Sequence, residues 1–276
     1  MADGSGVSPC GVLLVDKPAG PSSFAMVRQV RRLLGVRKVG HAGTLDPLAS
    51  GLLVICVGRG ATRLSARFME GRKRYEAILA LGVETDSFDG EGQVTATAPV
   101  PDIGDDELAR LADRFRGEIL QTPPPFSALK HKGKPLYHYA RKGEVVVKEA
   151  RPVQVHELSL TRLDRARLAL TVECGKGTYI RSLAADIGRE LGCGAHLAAL
   201  RRTACGGFSV ADAVDGAGLA GSGFEKLLDR LIKIEDIEEL TARHDSPSPG
   251  ILAADPTERQ DTTYGEIEEV YRGITG

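Results

Sequence analysis

The stretch VRKVGHAGTLDPLASG, residues 36–51, constrains this chain more than any other segment. It has no helical or strand period, it carries Gly40, Gly43 and Gly51, and the apolar run LLVICV (52–57) follows it. Such a segment reads as a loop pinned at both ends by regular structure. Upstream, GVLLV (11–15) reads as a buried strand, and Lys17-Pro18 with Gly20-Pro21 forces a turn after it. Ser22 or Ser23 then caps a helix with Val27, Val30 and Leu34 on one face and Arg28, Arg31 and Arg32 on another, and Gly35 stops it.

The remaining pattern is mixed. A short helix is expected around 61–70, a strand in the later part of 72–82 and a loop over 82–92. Asp105 and Asp106 open a helix carrying Leu108, Leu111, Ala112 and Phe115, ended by Gly117. VQVHELSL (153–160) and RLALTVEC (167–174) alternate as an antiparallel pair. A helix follows from about Ile180 to Leu191, and a short one over 224–232. Strands and helices intermix without strict βαβ alternation, which favours an α+β or mixed-sheet body. Residues 1–10 read as a disordered start, 11–235 as one folded body, and 236–276 as an acidic, disordered tail.

The net charge of −1 conceals an asymmetry. Residues 1–210 hold 30 Lys and Arg against 22 Asp and Glu, a net +8, whereas residues 211–276 hold 6 against 15, a net −9. A basic body favours a polyanionic partner. No apolar run approaches the ~20 residues of a membrane span, and residues 1–12 lack a signal-peptide pattern, so a cytoplasmic location is expected with no membrane partner. Five cysteines without a Cys-x-x-Cys pair suggest neither a disulfide framework nor a zinc site. His41, His131, His138, His156 and His196 show no close metal-ligand spacing, so no metal is expected. No cofactor is expected either. GKGT (175–178) lacks the first glycine of a phosphate loop, Leu170 standing there, and no G-x-G-x-x-G follows a strand.

Asp46 is the leading candidate for chemistry. Pro47 keeps it out of helical geometry, and flanking glycines let the backbone bend and a substrate approach. Arg28, Arg31, Arg32, Arg37 and Lys38 precede it and Arg72, Lys73 and Arg74 follow, a setting that favours an ionised carboxylate. A turn aspartate bonding its own backbone satisfies the same local pattern. Tyrosines interleave with cations: Tyr75 follows Arg72-Lys73-Arg74, Tyr137 and Tyr139 lie in KHKGKPLYHYARKG (130–143), and Tyr179 lies in KGTYIR (176–181). Rings that stack on bases beside cations that neutralise phosphates suit an unpaired nucleotide. Half-buried tyrosines beside long cationic side chains are the alternative.

Six segments in order resemble the TruB family of tRNA pseudouridine synthases. They are GVLLVDKPAGPSS (11–23), GHAGTLDPLASGLL (40–53), KRYEAILALGVETDSFDGEG (73–92), FSALKHKGKPLYHYARKG (126–143), CGKGTYIRSLAADIG (174–188) and GCGAHLAALRR (192–202), within about 200 of the 276 residues. The resemblance implies a pseudouridine synthase fold, α+β with a central mixed, largely antiparallel sheet flanked by helices, a catalytic domain over 11–235, and isomerisation of uridine-55 in the T-loop of tRNA. It makes Asp46 the catalytic aspartate, paired with Arg181, and Tyr75 the ring that stacks on the flipped base. It gives His41 the task of opening the T-loop and standing in for the extruded base. Tyr179 and Leu200 would line the uracil pocket, and Lys17 with Pro18 would support the active-site loop. Residues 240–276 are too short and too acidic for the small C-terminal PUA domain common in bacterial members.

Other readings remain open at this point. One is an RNA-binding or tRNA-folding module with dispensable catalysis, and another is an enzyme of free nucleosides. The basic residues spread over many segments favour a polymer; the resemblance makes it the tRNA T-stem-loop, and a monomer is expected. The acidic tail reads as a solvated end or as a segment that folds over the basic face.

Overall fold

The computed structural model describes residues 8–144 and 146–237. The tail expected at 236–276 therefore lies outside the described residues beyond Ile237, as does most of the 1–10 start. The described chain forms two compact units, residues 8–74 with 201–237, and residues 75–200. Both are α+β with helices on sheet; the sheet of the first unit is mixed and largely antiparallel, as expected, and in the second Arg151–Arg162 pairs antiparallel on both sides.

In the first unit the strand Ser50–Val57 is central and buried along its whole length, which its apolar run permits. On one side it pairs antiparallel with Gly11–Lys17, from Gly11 opposite Val57 to Lys17 opposite Gly51. On the other it pairs antiparallel with Val39–Ala42 and parallel with Arg201 and Arg202. Val214–Asp215 adds a parallel edge to Gly11–Lys17. Beneath the sheet, Val12, Leu14, Leu52, Val54, Phe68 and Phe208 form a core, with the two phenylalanine rings edge to face at 5.8 Å.

The helix Ser23–Leu34 buries Ser23, Met26, Val27, Val30 and Leu34, the stripe expected at helical spacing. Ser22 is its cap, accepting from Ala25 N at 3.2 Å, and Gly35 ends it in left-handed geometry (φ 63°).

The second unit is built on Arg151–Arg162 and Arg167–Cys174, paired antiparallel with Leu158 opposite Val172, as the alternation predicts. Gly117–Gln121 adds to the outer side of Arg151–Arg162. Helix Asp105–Arg114 packs on Arg151–Arg162, and helix Ile180–Glu190 buries Leu183, Ala184 and Ile187.

Four local expectations differ from the structure. Residues 39–42 are a strand rather than loop, because the long central strand offers them a ladder. Val83–Thr85 pairs with Val94–Thr97 inside what reads as loop. Helix Asp105–Arg114 ends at Phe115, and Gly117 instead opens a strand. The expected helix near 61–70 is two short helices, Gly58–Arg63 and Ser65–Glu70. Ala195–Cys205, which carries no alternation, is a strand in which Arg202 lies opposite Gly51.

That register depends on a glycine. Gly51 has φ 96°, and a Cβ there would lie 2.3 Å from Arg202 O. Gly51→Ala therefore combines backbone strain with a clash against main chain, and is expected to cost about 2–4 kcal/mol. A urea midpoint unchanged from wild type would contradict this packing.

Candidate active site

The Asp46 loop is fastened to the turn that precedes the first helix. Lys17 is fully buried, and its Nζ donates to Pro18 O and Pro21 O at 2.8 Å and to Pro47 O at 3.3 Å. A buried ammonium is tolerable only with such acceptors. Gly20 N also donates to Pro47 O, at 2.8 Å. Ser23 Oγ donates to Leu45 O at 2.8 Å and accepts from Leu45 N at 2.9 Å. Ala49 N donates to Asp46 O at 3.1 Å, closing a turn after the carboxylate. Asp46 itself is half-buried between buried Leu45 and exposed Pro47.

Arg202 holds the ends of the same loop. It is 1% exposed, and its guanidinium donates to Leu52 O at 2.8 Å and Gly43 O at 3.1 Å. Its neighbour Arg201 forms two parallel bonds with Asp16, at 2.9 and 2.8 Å, beside Lys17 in sequence. His41 stands on the strand Val39–Ala42 opposite Ile55, half-buried, with no hydrogen-bond partner for its Nδ1. Burial, and secondarily the charge of Arg202, pushes the His41 pKa below its ordinary value, so the neutral ring is favoured.

The second unit carries Tyr75, Tyr179, Arg181 and Leu200. Arg181 is 5% exposed and ion-pairs with the equally buried Asp89 at 3.4 Å. It also donates to Ser87 O at 3.1 Å and Phe126 O at 2.8 Å. Asp89 in turn accepts from Ser87 Oγ at 2.6 Å and Glu91 N at 3.1 Å. A buried pair with its remaining lone pairs satisfied fixes geometry more than it adds stability. Phe88, between them, sits at φ 64°, a conformation held by the contacts around it.

Tyr179 precedes the helix Ile180–Glu190 and has no side-chain cap of its own there. Gln121 replaces one: its side chain accepts from Tyr179 N at 2.7 Å and donates to Tyr179 O at 3.1 Å. Arg151 covers the Tyr179 ring at 5.4 Å. Leu200 is 6% exposed, and Tyr75 is half-buried on the strand Lys73–Leu81.

Within the first unit the structure thus brings Lys17 to the Asp46 loop. Within the second it sets Tyr179 two residues before Arg181 at a helix start. The sequence marked Ser23 only as a helix-cap candidate and did not mark Arg202, Gln121 or Asp89 as site residues. A signal existed for Arg202, since two arginines directly follow the apolar AHLAAL.

Among the described residues, no group of three or more His, Cys, Asp or Glu is placed to hold a metal, and no helix is long and apolar enough to cross a membrane. No disulfide joins the described cysteines, and burial pushes the Cys56 thiol up to about 12.

Comparison with known proteins agrees with the sequence reading. The model of the TruB family pseudouridylate synthase N-terminal domain matches residues 31–180, and that of the tRNA pseudouridylate synthase B C-terminal domain matches 181–241. A tRNA pseudouridine synthase B of Desulfotalea psychrophila is 48% identical over 238 residues, covering 83% of this chain and 96% of that protein. The proteins of the same name from Aromatoleum aromaticum and Tolumonas auensis are 51% and 49% identical over 74% and 70% of this chain. The chain spans only 66% and 59% of their lengths. A chain in the crystal structure of a Cbf5-Nop10-Gar1 complex superposes with a TM-score of 0.64 at 28% identity, over 83% of this chain and 62% of that one. One in an H/ACA RNP bound to a substrate RNA containing 2′-deoxyuridine gives 0.57 at 26% identity, over 85% and 58%.

His41 supplies a pH test. Its folded pKa is lowered from 6.5, so its contribution is intact above that value and is lost as pH falls below it. Urea titrations at about pH 7.5 and about pH 5.5 should show a smaller acid loss of stability for His41→Gln than for wild type. Equal losses would mean that His41 protonates as freely folded as unfolded.

Proposed function

The chain belongs to the TruB family of pseudouridylate synthases, and we propose on that footing that it isomerises uridine-55 in the T-loop of tRNA to pseudouridine. One observation within the molecule supports this above others. Asp46 is half-buried in a glycine-bordered loop, and the residues on both sides of it are hydrogen-bonded to the segment 17–23. A carboxylate meant to react must be reachable yet held in one direction.

The reaction breaks the C1′–N1 bond of uridine and forms C1′–C5, while the proton leaving C5 is balanced by one gained at N1. Product and substrate are isomers, so the step balances without an oxidant, reductant or second substrate. Asp46 serves it either by attacking the uridine or by abstracting a ribose proton while the base detaches and turns. The base must first leave the stack, and the interleaved cations and tyrosines suit an extruded nucleotide with its phosphates. Tyr75, Arg181, His41, Tyr179, Leu200 and Lys17 keep in this proposal the roles that the family resemblance gives them. We take 11–235 as the catalytic body of a cytoplasmic monomer whose partner is the tRNA T-stem-loop.

Asp46→Asn should lower pseudouridine formation on a T-stem-loop by on the order of 10³-fold or more while leaving RNA binding within about twofold of wild type. Turnover by this variant at the wild-type rate would exclude Asp46 as the reacting group. A binding module without catalysis would shift RNA mobility and leave uridine unchanged even as wild type. Free uridine should not be converted by either protein.

A further inference from the structure

Ser22 and Ser23 are adjacent, equally able to cap a helix, and put to different uses. Ser22 caps the helix Ser23–Leu34 by accepting from Ala25 N. Ser23 is not needed for that, and its side chain is instead turned to the Asp46 loop. Its hydroxyl donates to Leu45 O at 2.8 Å and accepts from Leu45 N at 2.9 Å. A hydroxyl has one hydrogen to give and two lone pairs to receive, so one oxygen fixes both polar groups of this residue. Ser23 is 2% exposed and Leu45 3%, so water does not compete for these bonds. Leu45 O belongs to the peptide unit that leads into Asp46. Immediately after Asp46, Pro47 O is held by Gly20 N and by Lys17 Nζ.

We propose that Ser23 is a positioning residue for the reaction: its hydroxyl sets the orientation of the Leu45–Asp46 peptide and through it the direction of the Asp46 carboxylate. The inference rests on Asp46 being the reacting group. It adds that the direction of that group is fixed before RNA arrives, by a residue that touches no substrate. Loss of the hydroxyl should therefore appear in the chemical step and not in RNA affinity.

The experiment compares Ser23→Ala with Ser22→Ala by single-turnover kinetics on a tRNA T-stem-loop, by RNA binding and by thermal melting. Ser22→Ala removes a helix cap and leaves the Leu45 bonds in place. It should lower the melting temperature and keep the rate constant within about twofold of wild type. Ser23→Ala should slow the rate constant by about 10–100-fold with Kd within about twofold, because a small misplacement of a reacting group is costly. Ser23→Cys has nearly the same volume and a weaker donor. Should the alanine variant not fold, the cysteine variant is read in its place, with a slower rate at unchanged Kd expected.

A Ser23 variant that turns over at the wild-type rate overturns the inference, as does a loss confined to Kd. Parallel measurement of Asp46→Asn separates the two readings. If that variant is inactive and Ser23→Ala is unimpaired, only the role of Ser23 falls. If Asp46→Asn is active, the assignment of Asp46 falls and takes this inference with it.

Discussion

The structure depends on how a polar, sharply bent loop is kept in one shape against an apolar sheet. Buried backbone groups need partners, and a loop has no ladder of its own to supply them. Here the partners come from two short blocks of sequence. Lys17, Gly20 and Ser23 hold Leu45 and Pro47, and Arg202 holds Gly43 and Leu52. Both long cations are buried and donate to carbonyl oxygens. Removing either would strip a donor from at least two carbonyl oxygens at once, at about 1–3 kcal/mol for each group left unsatisfied.

The second unit meets the same demand differently. Arg181 is fixed by a carboxylate and two carbonyls, all from outside its own helix. Asp89 comes from a turn containing Phe88 in left-handed geometry, and that turn is closed by Thr85 Oγ1 on Asp89 O at 2.7 Å. Gln121 then ties the start of the Arg181 helix to the strand Gly117–Gln121. The side chains proposed to meet RNA thus project from backbone whose freedom has already been removed. That is the condition under which electrostatic and stacking groups act without reorganising.

How much of this was legible in the sequence varied with the range of the forces involved. Gly11–Lys17, Ser23–Leu34, Arg167–Cys174 and Ile180–Glu190 announce themselves through local period, caps and alternation. Val39–Ala42 does not, because two of its four residues are glycine and histidine and its strand geometry comes from pairing with Val54–Val57. Ala195–Cys205 is illegible for the same reason: Arg201 and Arg202 look misplaced in a strand until Asp16, Gly43 and Leu52 are seen to receive them. Asp46 was found through its glycines, Pro47 and the family motif. Ser23 was visible only as one of two interchangeable caps, since no local pattern shows which hydroxyl reaches Leu45.

The first unit is assembled from both ends of the described chain, and this bears on how it is made. Arg202 and Leu52 are 150 residues apart, and Arg201 and Asp16 are 185 apart. Contacts of that span close late, after the loop entropy between them has been overcome. During synthesis the Asp46 loop leaves the ribosome well before the arginines that grip it. Until then its sheet lacks the parallel neighbour of Ser50 and Gly51. The order of the chain therefore delays the finished loop until nearly the whole body has been translated, so a partly made protein is not a small version of the enzyme.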